Sequence, residues 1–361
     1  MACYHPLRAF DTGLLTENFK PKYKICGSDV DRIHQAYQFV NVSGKIDRSD
    51  RKVWQDRWIT KWIPIPCGQC IGCRLDYSRM WADRCMLEAQ QWQNNAFITL
   101  TYDPEHLPKS QPVVDVETGE VFDCPSLIPE HLTKFMKDLR NYFMNKFGHT
   151  GVRFYACGEY GSTGGRPHFH ILAFNLPPFP DMQYWFTTDQ HEKIFHSNIL
   201  QNEIWKKGLC SIGELTWNSC AYVARYVVKK QKGDTKGLVD LCGNLVSGLT
   251  PEFVRMSRRP GIAWKYYDEN KDKFYETDEI VMSIRGKVRT IKPPRYFDKM
   301  YDLENEDPFI MADIKKKRAE SAVESMKQQL EKTTLNYNDY LAVKERNKIA
   351  QVSALKRKLK V

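Results

Sequence analysis

The stretch "RPHFHILAF", residues 166 to 174, sets His168 and His170 two apart at the head of an apolar run. Side chains alternate faces along a strand, so both imidazoles point one way while Phe169 and Ile171 point the other, towards a core. Two imidazole nitrogens on one face can hold one metal ion. In a chain with nine histidines the pattern H-x-H also arises by chance, so its meaning depends on its neighbours. Glu159, in "CGEYG", ends the preceding strand-like run, and a hairpin would bring its carboxylate near both histidines. Two imidazoles and one carboxylate with open positions suit Mg²⁺ or Mn²⁺ acting on phosphate oxygens.

A second group lies in "YVARYVVKK". At about 100° per residue, Tyr222 and Tyr226 fall roughly 40° apart and Lys229 returns to within about 20° of Tyr222, so two phenols and an ammonium share one helical face. A phenol with a solution pKa of about 10 is a weak nucleophile unless a cation, metal or base favours the phenolate. The competing reading is an ordinary amphipathic stripe of Tyr222, Val223, Tyr226 and Val227 packed on a sheet.

Cys67, Cys70 and Cys73 form a C-x2-C-x2-C run, short enough to bind one ion. Zinc would need a fourth ligand to close a tetrahedral site. Cys85 is excluded, because a helix starting at Arg74 would carry it about 18 Å along the axis from Cys73. Cys3 or His5 is the better fourth ligand. A structural Zn²⁺ is expected, the alternative being reduced, unmetallated thiols; the run lacks the x3-C-P ending of bacterial ferredoxins.

The elements that must position these groups follow from periodicity. No Pro or Gly interrupts Arg74 to Trp92, where Trp81, Cys85, Ala89 and Trp92 make one helical face and Arg74, Arg79 and Arg84 face solvent. "AFITLTYD" reads as a strand ending at Asp103-Pro104. Leu132, Phe135, Met136, Leu139 and Phe143 mark an amphipathic helix starting near Pro129. "VRFYACGEY" and "PHFHILAF" form a hairpin around "GSTGGR", "LCSIGELT" a further strand, and Thr216 or Asn218 caps the helix that carries Tyr222. Residues 1 to 66 read as irregular, 104 to 129 as a Pro-rich connection, and "SRRPGIAWKYY" as a basic, aromatic loop. The order implies an α+β fold with an antiparallel sheet and flanking helices. Four regions are expected: a cysteine-rich segment and helix over 1–95, a catalytic core over 96–232, an extension over 233–310 and a basic helical tail over 311–361.

The chain has 361 residues, 42% hydrophobic and 12% aromatic, which is a globular composition. No apolar run reaches membrane-spanning length and "MACYHPLRAF" lacks a signal-peptide layout. Eleven cysteines, an odd number, fit reduced thiols better than a secreted disulfide framework, so a cytoplasmic location is expected. The formal charge is +10. Residues 311 to 361 hold 13 Lys or Arg against 6 Asp or Glu, a net of +7, and such a tail can track a nucleic-acid backbone or simply be a solvated helix.

"FITLTYD", "RPHFHILAF" and "YVARYVVKK", in that order, resemble the three motifs of rolling-circle replication initiators of the HUH endonuclease superfamily. The Y-x3-Y form followed by lysines is similar to the initiators of small single-stranded DNA bacteriophages. With "PCGQCIGCR" and "MACYHP" upstream, the resemblance narrows to the microviruses, in their gokushovirus branch.

The resemblance implies a ferredoxin- or RRM-like HUH palm, with His168 and His170 as the metal pair and Glu159 as a third ligand. It makes Tyr222 and Tyr226 the nucleophile pair. Lys229 or Lys230 would be the third-motif lysine, and the shared face favours Lys229. Thr99, Thr101 and Tyr102 of the first motif become candidate DNA contacts. The implied activity is that of a site-specific DNA endonuclease and strand transferase in the host bacterial cytoplasm. It would nick the viral origin, keep a 5′-phosphotyrosine link, leave a 3′-hydroxyl for a host polymerase, and rejoin the displaced single strand into a circle. No G-x4-G-K-[ST] run is present, so unwinding would fall to a partner helicase. Two other classes compete: a non-catalytic zinc-containing single-stranded DNA-binding or packaging protein, and a phosphodiesterase that uses water.

Overall fold

The computed structural model describes residues 3–15, 21–27, 32–37, 53–58, 63–115, 119–161, 165–189, 191–229, 238–239, 249–284, 286–307 and 309–354. They fall into two compact units, one of Tyr77–Tyr301 and one of Met1–Asp76 with Asp302–Val361.

The Tyr77–Tyr301 unit is built on a seven-stranded sheet in which every pairing is antiparallel. Its strands, in chain order, are β1 (Asn95–Thr101), β2 (Arg153–Tyr160), β3 (Pro167–Phe174), β4 (Gln183–Thr187), β5 (Lys193–His196), β6 (Cys210–Glu214) and β7 (Phe253–Met256). The spatial order is β4-β5-β6-β1-β3-β2-β7, so β3, carrying the two histidines, lies inside the sheet between β1 and β2. The α+β expectation holds.

Strand alternation divides the residues of β3 between two faces. On one face Phe169, Ile171 and Ala173 are fully buried with Ile98 and Leu100 of β1. Helix α2 (Pro129–Phe147) covers that face with Leu132, Phe135, Met136, Leu139 and Phe143, the five residues its periodicity marks, none more than 2% exposed. Pro129 suits the first helical position. The helix stops at Gly148, whose φ of 64° needs no Cβ and whose N–H donates to the Met144 carbonyl. Gly158 of β2 lies opposite both Phe169 and Phe253. A Cβ there would come within 2.8 Å of the Phe253 ring, so the glycine makes room for the two aromatics.

The other face carries His168, His170, Thr99, Tyr155, Cys157 and Glu159. Helix α1 (Ile71–Ala89) brings Trp81 to 5.0 Å from the Tyr155 ring, and α3 (Trp217–Lys229) packs on β2, β3 and β7. Thr216 rather than Asn218 caps α3. Its hydroxyl accepts from the Ser219 N–H at 3.2 Å and the Ser219 hydroxyl accepts from the Thr216 N–H at 2.8 Å, a reciprocal capping box.

Three expectations need correcting. Arg84 does not face solvent: it is buried, its Nε donates to the Ile262 carbonyl at 2.9 Å, and its guanidinium lies 3.9 Å from the Tyr296 ring centre and 4.5 Å from that of Trp81. A planar guanidinium stacks on aromatic faces as an ammonium does not. The N-terminal segment is not irregular, since Leu7–Leu15 pairs with both Pro21–Cys26 and Ile63–Ile65, and Arg32–Tyr37 pairs with Val53–Trp58. The Pro-rich connection contains a hairpin of Ser110–Asp115 with Val121–Pro125. Among the described residues no helix is long and apolar enough to cross a membrane.

Candidate active site

The register of the three central strands assembles the site. Across β3 and β2, His168 pairs with Glu159 and His170 with Cys157. Across β3 and β1, His170 pairs with Thr99 and His168 with Thr101. Two-residue periodicity then puts Glu159, His168, His170 and Thr99 on one face. A ligand atom from each of Glu159, His168 and His170 lies within 4.8 Å of the others. The expected trio is therefore brought together.

Glu159 Oε1 is the hub. It lies 2.6 Å from His168 Nε2 and 2.9 Å from His170 Nε2, and it accepts the Tyr222 hydroxyl proton at 2.8 Å. The Tyr222 ring stands edge-on to His170, with centroids 5.0 Å apart. Each imidazole is oriented through its far nitrogen: His168 Nδ1 donates to the Arg166 carbonyl at 3.0 Å, and His170 Nδ1 lies 2.9 Å from the Thr99 hydroxyl. His170 is also stacked on Phe97 at 5.4 Å. These outer contacts turn both Nε2 atoms towards the carboxylate, as outer partners do for metal-binding histidines.

Charge is divided unevenly in this group. Burial alone would raise the Glu159 pKa, but hydrogen bonds from His168 and His170 outweigh it and hold the carboxyl at about 2. Burial opposes charge on His168, yet Glu159 prevails and its pKa is raised. For His170, burial wins over Glu159 and the pKa is lowered. Glu159 Oε2 and His170 Nε2 are buried without a hydrogen-bond partner. An unsatisfied buried polar atom costs about 1–3 kcal/mol, and a divalent cation held here would relieve both. One anionic oxygen ligand and two imidazoles fit such a cation.

The remaining predicted residues are placed less directly. Tyr226 and Lys229 sit on α3 beyond Tyr222, with side chains outside the described residues, and Lys230 lies outside them altogether. Thr101 gives its hydroxyl to the Leu209 carbonyl at 3.2 Å. Tyr102 is 2% exposed, bonds His131 at 2.7 Å and packs on Phe169 and Trp205, which makes it a core residue rather than a DNA-facing one. The orienting role of Thr99 was missed in the sequence, where only a hydroxyl in a strand is visible and not the partner 71 residues away.

The chain's relatives decide the family. A family model for replication-associated proteins of the ORF2 type matches residues 95–231, the segment containing β1, the histidine strand and α3. The chain is 37% identical to the Replication-associated protein ORF2 of Spiroplasma virus 4 over 298 residues, covering 82% of this chain and 86% of that protein. The chain belongs to the phage replication-associated protein family. This agrees with the resemblance carried by the three motifs. Other relatives are the Replication-associated protein VP4 of Bdellovibrio phage phiMH2K, 28% identical over 81% of this chain and 84% of that protein, and the Replication-associated protein ORF4 of Chlamydia phage 1, 28% identical over 60% of this chain and 45% of that protein. No solved structure matches the chain.

The other unit of this replication-associated protein gathers the thiols of Cys3, Cys67, Cys70 and Cys73 within 4.8 Å of one another. Of the two candidates for a fourth ligand, Cys3 joins the group, while His5 pairs with Glu345 at 2.6 Å. The Cys67–Cys73 and Cys3–Cys70 sulfur separations are both 4.0 Å, close to the roughly 3.8 Å edge of a tetrahedron with 2.3 Å metal–sulfur bonds. Backbone N–H groups of Gln69 and Cys70 point at Cys67 Sγ at 3.4 and 3.3 Å. Burial raises the Cys67 pKa, but those N–H donors overcome it and bring the thiol down to about 7, which favours the thiolate a metal requires.

Proposed function

We propose that this protein starts rolling-circle replication of a phage genome as an HUH-type endonuclease, nicking single-stranded or extruded origin DNA with Tyr222. The observation that carries the reading is the Tyr222 hydroxyl held 2.8 Å from Glu159 Oε1, at the carboxylate shared by His168 and His170.

In this reading the Tyr222 oxygen attacks the scissile phosphorus in line. A phosphorus–tyrosine oxygen bond forms, the bond to the 3′-oxygen breaks, the phenol gives up its proton and the departing 3′-oxygen takes one. One phosphodiester replaces another, so the step is close to isoenergetic and needs no nucleotide cofactor. Glu159 aims the phenol, and the Arg166 carbonyl and Thr99 keep the two imidazoles turned inward. Glu159, His168 and His170 would hold Mg²⁺ or Mn²⁺, which supplies Lewis acidity towards phosphate oxygens when bound. Tyr226, one helical turn further along α3, serves the second transfer that recloses the circle, with Lys229 or Lys230 supporting the phenolate. Host polymerase extends the free 3′-hydroxyl and a host helicase unwinds the duplex, in the host cytoplasm. The four thiolates of the second unit hold a structural Zn²⁺.

The test is a denaturing gel. Labelled single-stranded viral DNA incubated with the protein and Mn²⁺ should yield a protein-linked product that Tyr222→Phe with Tyr226→Phe eliminates. Cleavage by that double variant at the wild-type rate would sink the tyrosine mechanism.

A further inference from the structure

The "SRRPGIAWKYY" segment has no part in the chemistry above, yet it forms one wall of a cleft of about 800 Å³ in the Tyr77–Tyr301 unit. Five cations line this cleft, Arg140, Arg153, Arg258, Arg259 and Lys265, against a single carboxylate, Glu88. That carboxylate is fully engaged. Its Oε1 accepts from Arg153 Nε at 2.6 Å and Trp92 Nε1 at 3.0 Å, and its Oε2 accepts from the Ala263 N–H. The same bonds fix the Trp92 ring in the cleft, where Lys265 Nζ lies 5.1 Å from the ring centre. Arg258 and Arg259 are exposed, and among the described residues neither pairs with a carboxylate. Trp92 and Trp264 are half-buried, each with one part on the cleft.

Cations that lack acidic partners, set beside aromatic rings, match the chemistry of unpaired nucleic acid: phosphates on guanidinium and ammonium groups, bases stacked on rings. A duplex would leave the rings without open base faces. The cleft is also placed to meet a strand engaged at Tyr222. Arg153 and Glu159 open and nearly close β2, six residues apart on the same sheet face, or about 20 Å at 3.3 Å per residue. Neighbouring β7, an edge strand, runs antiparallel beside β2 from Phe253, opposite Gly158, to Met256 on the cleft. At the 3.4 Å per nucleotide of a stacked strand this gap spans about six nucleotides.

We propose that the cleft of Trp92, Arg258, Arg259, Trp264 and Lys265 is a second contact for single-stranded DNA, holding unpaired nucleotides about six positions from the nick. This rests on the nicking reading for the register, while the binding itself is measured separately.

The experiment is anisotropy of a labelled oligothymidylate of about twelve nucleotides with the full chain, over a series of salt concentrations. Arg258→Ala with Arg259→Ala should weaken binding at low salt and reduce the slope of log affinity against log salt by about 1.4, two contacts at about 0.7 each. Lys134→Ala with Lys137→Ala, on the exposed side of α2, is the charge-matched control and should leave the slope unchanged. Trp264→Ala should weaken binding without altering the slope, and Trp264→Phe should restore most of it. An unchanged affinity and slope in the Arg258, Arg259 variant, or an equal loss in the control, overturns the proposal. Absence of a covalent adduct with wild-type protein would instead count against the nicking reading, and leaves this binding result to stand on its own.

Discussion

The Tyr222 hydroxyl donates to Glu159 Oε1 across 2.8 Å, joining a helix to a strand that lies 63 residues earlier in the chain. One carboxylate thereby touches the proposed nucleophile and both imidazoles. Glu159→Gln keeps the shape but removes the charge that draws His168 and a cation to the site. Adduct formation should fall by about 100-fold or more, with Mn²⁺ affinity reduced in parallel by calorimetric titration. A variant that kept wild-type Mn²⁺ affinity would show that Glu159 is no ligand.

Thr99 is a positioning residue for His170. Thr99→Val removes the oxygen 2.9 Å from Nδ1 while conserving volume, and loss of such an outer partner lowers metal affinity by about 10–100-fold. Thr99→Ser should recover most of that loss. Equal Mn²⁺ affinity in all three proteins would argue that Phe97 stacking alone holds the ring.

Acid should weaken the metal-free fold through Glu159. Its folded pKa of about 2 lies below the ordinary 4.5, so its stabilising contribution is present above 4.5 and is lost as pH falls towards 2. His168, with a raised pKa, shares the pair, and its share is lost as pH rises through that raised value. The urea midpoint of Glu159→Gln should therefore lie furthest below wild type at mildly acidic pH and converge with it near pH 2. A constant gap across that range would contradict the electrostatic origin.

The thiol cluster should bind one Zn²⁺ per chain by elemental analysis. Cys67→Ser should lose it and lower the thermal midpoint, because a structural metal site contributes directly to folding free energy. Cys85→Ser should keep it, since Cys85 is a buried core thiol outside the cluster. Wild-type zinc content in Cys67→Ser would remove the assignment.

Much of this site was legible in the sequence because its parts obey short-range rules. H-x-H in an alternating strand fixes a shared face, a turn-rich break fixes the hairpin that delivers Glu159, and C-x2-C-x2-C fixes three of four sulfurs. The α2 stripe was readable for the same reason. What escaped depends on distant partners. Arg84 reads as a surface cation until Trp81 and Tyr296 are seen on either side of it. The β4 strand, exposed at all five positions, lacks the buried alternation that marks a half-covered strand. Thr99 looks like any strand threonine until register places it opposite His170.

The most direct test of the central claim is to identify the residue that carries DNA. Wild-type protein is reacted with single-stranded viral DNA and Mn²⁺, digested with nuclease and protease, and the peptides are sequenced by mass spectrometry. The account predicts a nucleotide on the α3 peptide at Tyr222, shifting to Tyr226 or vanishing in Tyr222→Phe. Cleaved DNA with no nucleotide on any tyrosine would contradict it and point to water as the nucleophile.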